Sequence, residues 1–185
     1  MIKETLTEAE EKMKSALTAL DHNLASIRTG RASPALIERL MVDYYGTPTP
    51  LQQLATISAP EPRLLTVKPF DATALKNIER AILASELGLT PNNDGKMIRL
   101  NIPALTEERR KELIKIVHHR LEEAKVAVRN IRRTSHDDLR EFEKEKEISE
   151  DDFKRGETEL QKLTDKYVAK VDETGSRKEA EIKEV

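Results

Sequence analysis

Between Leu6 and Ile27 apolar side chains return at steps of three and four: Leu6, Ala9, Met13, Leu17, Leu20, Leu24 and Ile27. That spacing keeps one stripe of a helix apolar and puts the intervening Glu and Lys residues on the other face, the pattern of a coiled-coil seam. The rhythm resumes after Thr106 through Leu113, Val117, Leu121, Ala124, Val128, Ile131, Ser135, Leu139 and Phe142. Thr106 is placed to cap this second helix, and Glu107 and Glu108 sit at its positive end. If it runs to about Lys146, the helix spans roughly 60 Å at 1.5 Å per residue. A third seam, Phe153, Gly156, Leu160, Leu163, Tyr167 and Val171, follows Ser149, which with Asp152 forms a start resembling a capping box. Three such seams predict a three-helix bundle with these residues as its core.

The segment between the first two helices has another grammar. All eight prolines, Pro34, Pro48, Pro50, Pro60, Pro62, Pro69, Pro91 and Pro103, fall within residues 31–103, so neither helical arm contains one. Here Ile37–Tyr45, Leu54–Ser58 and Leu64–Lys68 read as strands. Asp71 can cap a helix that turns Leu75, Ile78 and Ile82 inward and stops at Gly88. Asn93-Asp94-Gly95 then supplies a turn into Met97–Ile102, where Ile98, Leu100 and Ile102 alternate. The fold class predicted is α+β: an elongated three-helix bundle from residues 1–30 and 104–185, with a small β/α/β domain inserted at 31–103. A body joined to a rod by two adjacent chain segments can rotate about them.

Composition narrows the function. Of 185 residues 36% are charged and 3% aromatic, which suits long amphipathic helices better than one large core. The absence of cysteine excludes disulfides, thiolate chemistry and zinc fingers, and fits a reducing compartment. No signal peptide is visible before Lys14 and no apolar run approaches the ~18 residues of a membrane span, so the expectation is a soluble cytoplasmic protein. Phosphate-loop, HExxH and GxSxG motifs are absent, which argues against an enzyme. His118 and His119 are adjacent and so face different directions on a helix, and His22 and His136 lie elsewhere in the chain. Neither a metal site nor a cofactor is expected.

The formal charge of −2 points to no nucleic-acid partner, but its distribution does. Residues 104–133 hold nine Lys and Arg against five Asp and Glu, net +4, while residues 134–185 hold eleven against seventeen, net −6. Charges beyond about 8–10 Å are largely screened at physiological salt, so a polyanion responds to the local patch. On a helical wheel Lys111, Lys115, Lys125, Arg129, Arg132, Arg133 and Arg140 fall within about a 100° arc beside the apolar seam. From Lys125 to Arg133 no acid appears on any face. Arginine offers a rigid fork of donors suited to phosphate oxygens. The structural alternative is a solubilising face paired with acids on neighbouring helices. A second basic cluster lies in Arg28-Thr29-Gly30-Arg31-Ala32-Ser33-Pro34. Its glycine can end the first helix in the left-handed conformation and its proline prevents resumption, which makes either a helix cap or a hinge with an anion-binding collar. A three-helix adaptor that meets an acidic protein or RNA without specificity is a competing class, although such a rod does not need the compact insert.

Several strings make the chain resemble the bacterial ribosome recycling factor family: Ile27–Pro34, Tyr44-Tyr45-Gly46-Thr47-Pro48-Thr49-Pro50-Leu51, Leu105-Thr106-Glu107-Glu108-Arg109-Arg110-Lys111, Val126–Arg133 and Lys146–Asp152. The resemblance runs end to end. It implies an L-shaped protein of transfer-RNA dimensions whose small domain swings on two linkers. It also implies a monomer that binds the large ribosomal subunit, through 23S ribosomal RNA, after peptide release. GTP-bound elongation factor G then drives subunit separation. Carried onto this sequence, the RNA-contacting positions are Arg28, Arg31, Arg110, Arg129, Arg132 and Arg133. The hinge strands are Gly30, Arg31, Ala32 and Ser33 with Pro103, Ala104 and Leu105. Of the six arginines only Arg110 rests on the resemblance alone.

Overall fold

A computed structural model describes residues 1–184, which divide into two compact units, Met1–Leu24 with Ile114–Ala180 and Ala25–Leu113 with residues 181–184. The first unit is helical, built from α1 (Ile2–Ala25), most of α4 (Glu107–Lys144) and most of α5 (Glu150–Lys183). The three sequence seams meet in layers that take one residue from each helix. Ala9, Leu139 and Leu160 form one layer, and Met13, Val128 and Tyr167 the next. Leu6, Leu17, Ile131, Phe142, Phe153 and Leu163 pack around them, partly buried. The Tyr167 hydroxyl donates to Glu10 Oε1 at 3.1 Å, so the ring lies in the core while its polar end has a partner. Burial, with that hydrogen bond, pushes the phenol up to about 12.

Both expected caps form. The Arg109 amide donates to Thr106 Oγ1 at 3.1 Å, and the Asp152 amide to Ser149 Oγ at 3.0 Å. Between α4 and α5 the chain turns through Lys146 at a φ of 60°, with the Glu147 amide returning to the Phe142 carbonyl at 2.9 Å. Gly156 and Gly175 are both packing positions. A Cβ at Gly156 would lie 3.2 Å from Leu139 Cδ1, and one at Gly175 only 2.2 Å from Leu121 Cδ1. Gly175, inside the last helix, is therefore buried against α4 and is a close-packing position.

The second unit holds a hairpin of β1 (Met41–Tyr44) and β2 (Thr47–Pro50), a single helical turn α2 (Leu51–Leu54), β3 (Ala55–Glu61), β4 (Leu64–Pro69), α3 (Leu75–Ala84), β5 (Pro91–Asn93) and β6 (Ile98–Asn101). Strands β3-β4-β6-β5 make one antiparallel sheet, and β1 and β2 pair separately. Ile37, Val42, Leu51, Leu65, Val67, Ile78, Ile82, Ile98, Leu100 and Ile102 form its core, each almost wholly buried.

Several boundaries move from those read in the sequence. The expected strand Ile37–Tyr45 shortens to Met41–Tyr44, because Ser33 caps a 3₁₀ turn over Pro34–Leu36, taking the Ala35 amide at 3.3 Å. Strand β2 was not foreseen. Its two prolines lack amide donors, but it pairs only with β1, and Pro is tolerated on an edge strand. Strand β5 was likewise missed. Helix α3 ends at Ala84 rather than Gly88, where the Ser85 amide and hydroxyl both donate to the Ile82 carbonyl, at 3.2 and 2.6 Å. Helix α1 ends at Ala25, five residues before Gly30. Gly30 is not among the positive-φ glycines, so it is no left-handed helix cap. Among the described residues no helix is long and apolar enough to cross a membrane.

Candidate nucleic-acid interface

In the helical unit the basic face of α4 separates into two kinds of cation. Lys125 is drawn onto α5, with Nζ 2.6 Å from Asp172 Oδ1 and 3.7 Å from Glu122, and only 17% of its side chain remains exposed. Arg120 pairs with Glu123 along its own helix at 3.2 Å. Arg129, Arg132 and Arg133 make no ion pair among the described residues, although α5 carries many acids. Arg129 and Arg133 are exposed and lie one helical turn apart, about 6 Å along the axis, and Arg132 is half-buried beside them. Three unpaired guanidinium groups in an acid-free stretch keep their hydrogen-bonding forks free for an external anion. Of the two readings the sequence left open, a face paired with acids describes Lys125. Lys125 is paired and the arginines after it are not.

The three remaining arginines belong to the other unit and are differently held. Arg28 Nη2 donates to the Pro103 carbonyl at 2.7 Å, tying the segment after α1 to the one before α4. Its Nε is buried without a partner. Burial, with the charge of Arg109 nearby, pulls this guanidinium below its ordinary value. Arg110 pairs with Glu107 at 2.7 Å, its side chain is 16% exposed, and its Nε is also buried and unpartnered. Arg31 is open, 71% exposed, with Glu184 at 3.8 Å. Arg31, Arg63 and Arg110 line one cleft of about 260 Å³ together with Glu181 and Glu184.

The linker residues read as a hinge run beside the β3–β4 turn. The Ala32 amide donates to the Pro62 carbonyl and the Ile102 amide to the Arg63 carbonyl, each at 2.7 Å. Gly30 has nothing within 4 Å of where a Cβ would sit, so its freedom is conformational rather than a matter of close packing.

Three of the four histidines pair with carboxylates. His118 meets Glu179, His119 meets Glu123 at 2.8 Å, and His136 meets Glu157 at 2.6 Å. Among the described residues no group of three His, Cys, Asp or Glu side chains is arranged to hold a metal ion.

A long-helix bundle whose chain is interrupted by a small antiparallel sheet domain, with unpaired arginines aligned on one helix, defines an α+β class of protein with an open cationic face. The chain belongs to the ribosome recycling factor family, whose model matches residues 20–182. It is 60% identical over 175 residues to the ribosome-recycling factor of Natranaerobius thermophilus, covering 95% of both chains. It is 56% identical to that of Dehalococcoides mccartyi strain CBDB1 over 185 residues, the whole of each. A solution structure of a ribosome recycling factor matches with a TM-score of 0.77 at 43% identity, covering 100% of this chain and 98% of that one. A T. thermophilus ribosome recycling factor, placed with E. coli elongation factor G on the E. coli post-termination complex, matches with a TM-score of 0.67 at 50% identity and 98% coverage of both.

Proposed function

We propose that this protein is a ribosome recycling translation factor. It binds the large ribosomal subunit after peptide release and, with elongation factor G and GTP, splits the post-termination ribosome for a new round of initiation. The single observation that carries the reading is the unpaired set Arg129, Arg132 and Arg133 on α4, in a chain whose family membership supplies the setting. Each guanidinium that meets a phosphate releases condensed counterions, so binding tightens and becomes steeply dependent on salt. Arg31, the exposed one of the three, adds a contact near the linkers, while Arg110, held by Glu107, and Arg28, held by the Pro103 carbonyl, act there by fixing the linker segments. Residues 30–33 and 103–105 serve as hinge strands, and the inserted domain is the part that elongation factor G displaces. The protein works as a cytoplasmic monomer, has no active site of its own, and the GTP chemistry belongs to its partner.

The test is light scattering of post-termination ribosomes mixed with this protein, elongation factor G and GTP, each component omitted in turn. A drop that requires all three is expected. Tight ribosome binding with no drop, using a matched elongation factor, overturns the reading and leaves an RNA-binding module. Tethering the inserted domain to the bundle through an engineered disulfide is expected to preserve binding and abolish splitting. Arg132→Ala is expected to weaken binding to large subunits and reduce the salt slope by about 0.7–0.9 per lost contact, with helix content unchanged.

A further inference from the structure

The loop between β5 and β6 contains Asp94 followed by Gly95, and among aspartyl pairs Asp-Gly is the most open to spontaneous backbone rearrangement because glycine offers no side chain to hinder the reaction. In that reaction the Gly95 amide nitrogen attacks Asp94 Cγ. A C–N bond forms, the carboxyl C–O bond breaks, and the carboxyl hydroxyl leaves with the amide proton as water. Water then reopens the five-membered imide at either carbonyl. Cleavage at Cγ regenerates aspartate, and cleavage at the backbone carbonyl leaves isoaspartate, with one extra methylene in the main chain. No oxidant or cofactor takes part.

Both reacting groups, the Asp94 carboxylate and the Gly95 amide, are already engaged in hydrogen bonds. Asp94 Oδ1 accepts from the Lys96 and Met97 amides, both at 2.9 Å, and Oδ2 accepts from Arg99 Nη1 at 2.7 Å. These donors lie beyond Gly95 in sequence and hold the carboxylate forward across the turn. The attacking amide is held as well, since Gly95 N–H donates to Asn93 Oδ1 at 2.7 Å. Asn93 is fixed in turn by its Nδ2, which donates to Glu79 at 3.1 Å, and by pairing with Ile98 in the sheet.

We propose that the Asp94-Gly95 bond is a latent isoaspartate site, kept closed in the folded protein by the hydrogen bonds of Asn93, Asp94 and Arg99. The protonation state acts in the same direction. The Met97 and Lys96 amides, and then Arg99, hold the carboxyl at about 2, and the neutral acid is the form that readily loses water. Relative to an ordinary value of 3.8, that lowers the neutral fraction near pH 7 by roughly sixtyfold. The location gives the modification a consequence. An added methylene at residue 94 falls one position beyond the Asn93–Ile98 pair, and Ile98 is fully buried in the sheet core, so the change would distort the turn that closes β5 on β6.

The experiment is prolonged incubation at neutral pH and physiological temperature of the folded protein and of the same protein unfolded in urea. Trypsin digestion follows, and the aspartate and isoaspartate forms of peptide 81–96, identical in mass, are resolved by chromatography. The folded chain is expected to isomerise more slowly than the unfolded one by about tenfold or more. In the folded state Asn93→Ala and Arg99→Ala should each raise the rate, and the double variant should raise it further while remaining below the unfolded rate, because Asp94 Oδ1 still accepts from the Lys96 and Met97 amides, with its circular dichroism native. Equal rates in folded and unfolded wild-type protein overturn the proposal. So does a natively folded double variant that isomerises no faster than wild type. The wild-type comparison stands even where a variant fails to fold.

Discussion

Gly175 offers the sharpest test of how the helical unit packs. An alanine there places Cβ 2.2 Å from Cδ1, 2.9 Å from Cδ2 and 3.0 Å from Cγ of Leu121, where carbon contacts relax at about 3.5–4.0 Å. All three atoms belong to one side chain, so the clash cannot be spread over several neighbours. Leu121 has to leave its rotamer, and in a helix only two χ1 wells are open to it. Overpacking of this kind costs about 1–3 kcal/mol. Against it stands the gain in helix propensity from Gly to Ala, about 1 kcal/mol in a helix interior. The net expectation for Gly175→Ala is a loss of about 1 kcal/mol, which for a chain of this size lowers Tm by about 2–4 °C. In a Leu121→Ala background the clashing atoms are gone, and the same substitution should gain about 1 kcal/mol. The coupling energy between the two sites is then about 1–3 kcal/mol. Urea unfolding followed by circular dichroism at all four corners of the cycle measures it. Gly175→Ala that stabilises by the same amount in both backgrounds would refute the close approach of α5 to α4 at this point.

Other expectations follow from the same geometry. Arg133→Ala should lower the salt slope of large-subunit binding by about 0.7–0.9, whereas Lys125→Ala, whose charge is already spent on Asp172, should leave the slope unchanged; equal effects would contradict the division of the basic face. Leu139→Ala empties the layer shared with Ala9 and Leu160 and should cost about 2–5 kcal/mol in a denaturation experiment. Tyr167 has its pKa raised on folding from 10 to about 12, so the folded state retains a proton that the unfolded chain loses. Its contribution is whole below pH 10 and fades as pH rises toward 12, so the urea midpoint should fall over that window, and fall less in Tyr167→Phe.

The elements most legible in the sequence are those whose physics is local. An apolar stripe recurring every three or four residues can be buried only along one side of a helix, so the three seams from Leu6, Leu113 and Phe153 lead directly to α1, α4 and α5. Confinement of proline to 31–103 marks the interruption equally well, because proline disrupts a helix wherever it falls in its interior. The arginines of α4 were visible for the same reason, as an acid-free run on one helix face.

What the sequence could not disclose depends on partners far away in the chain. Lys125 and Arg129 stand one turn apart in the same stripe, yet Lys125 is neutralised because Asp172, on another helix, lies opposite it. Gly175 looks like an ordinary weak point in a helix until Leu121 is brought against it. Strands β2 and β5 lack an apolar alternation of their own, and they exist because β1 and β6 offer backbone groups to pair with. Periodicity and backbone stiffness determined the elements. Only the tertiary structure decided which charges are paired, which glycines are contacts and which extended segments become strands, because each of those outcomes is set by groups distant in the chain that folding brings within a few ångströms.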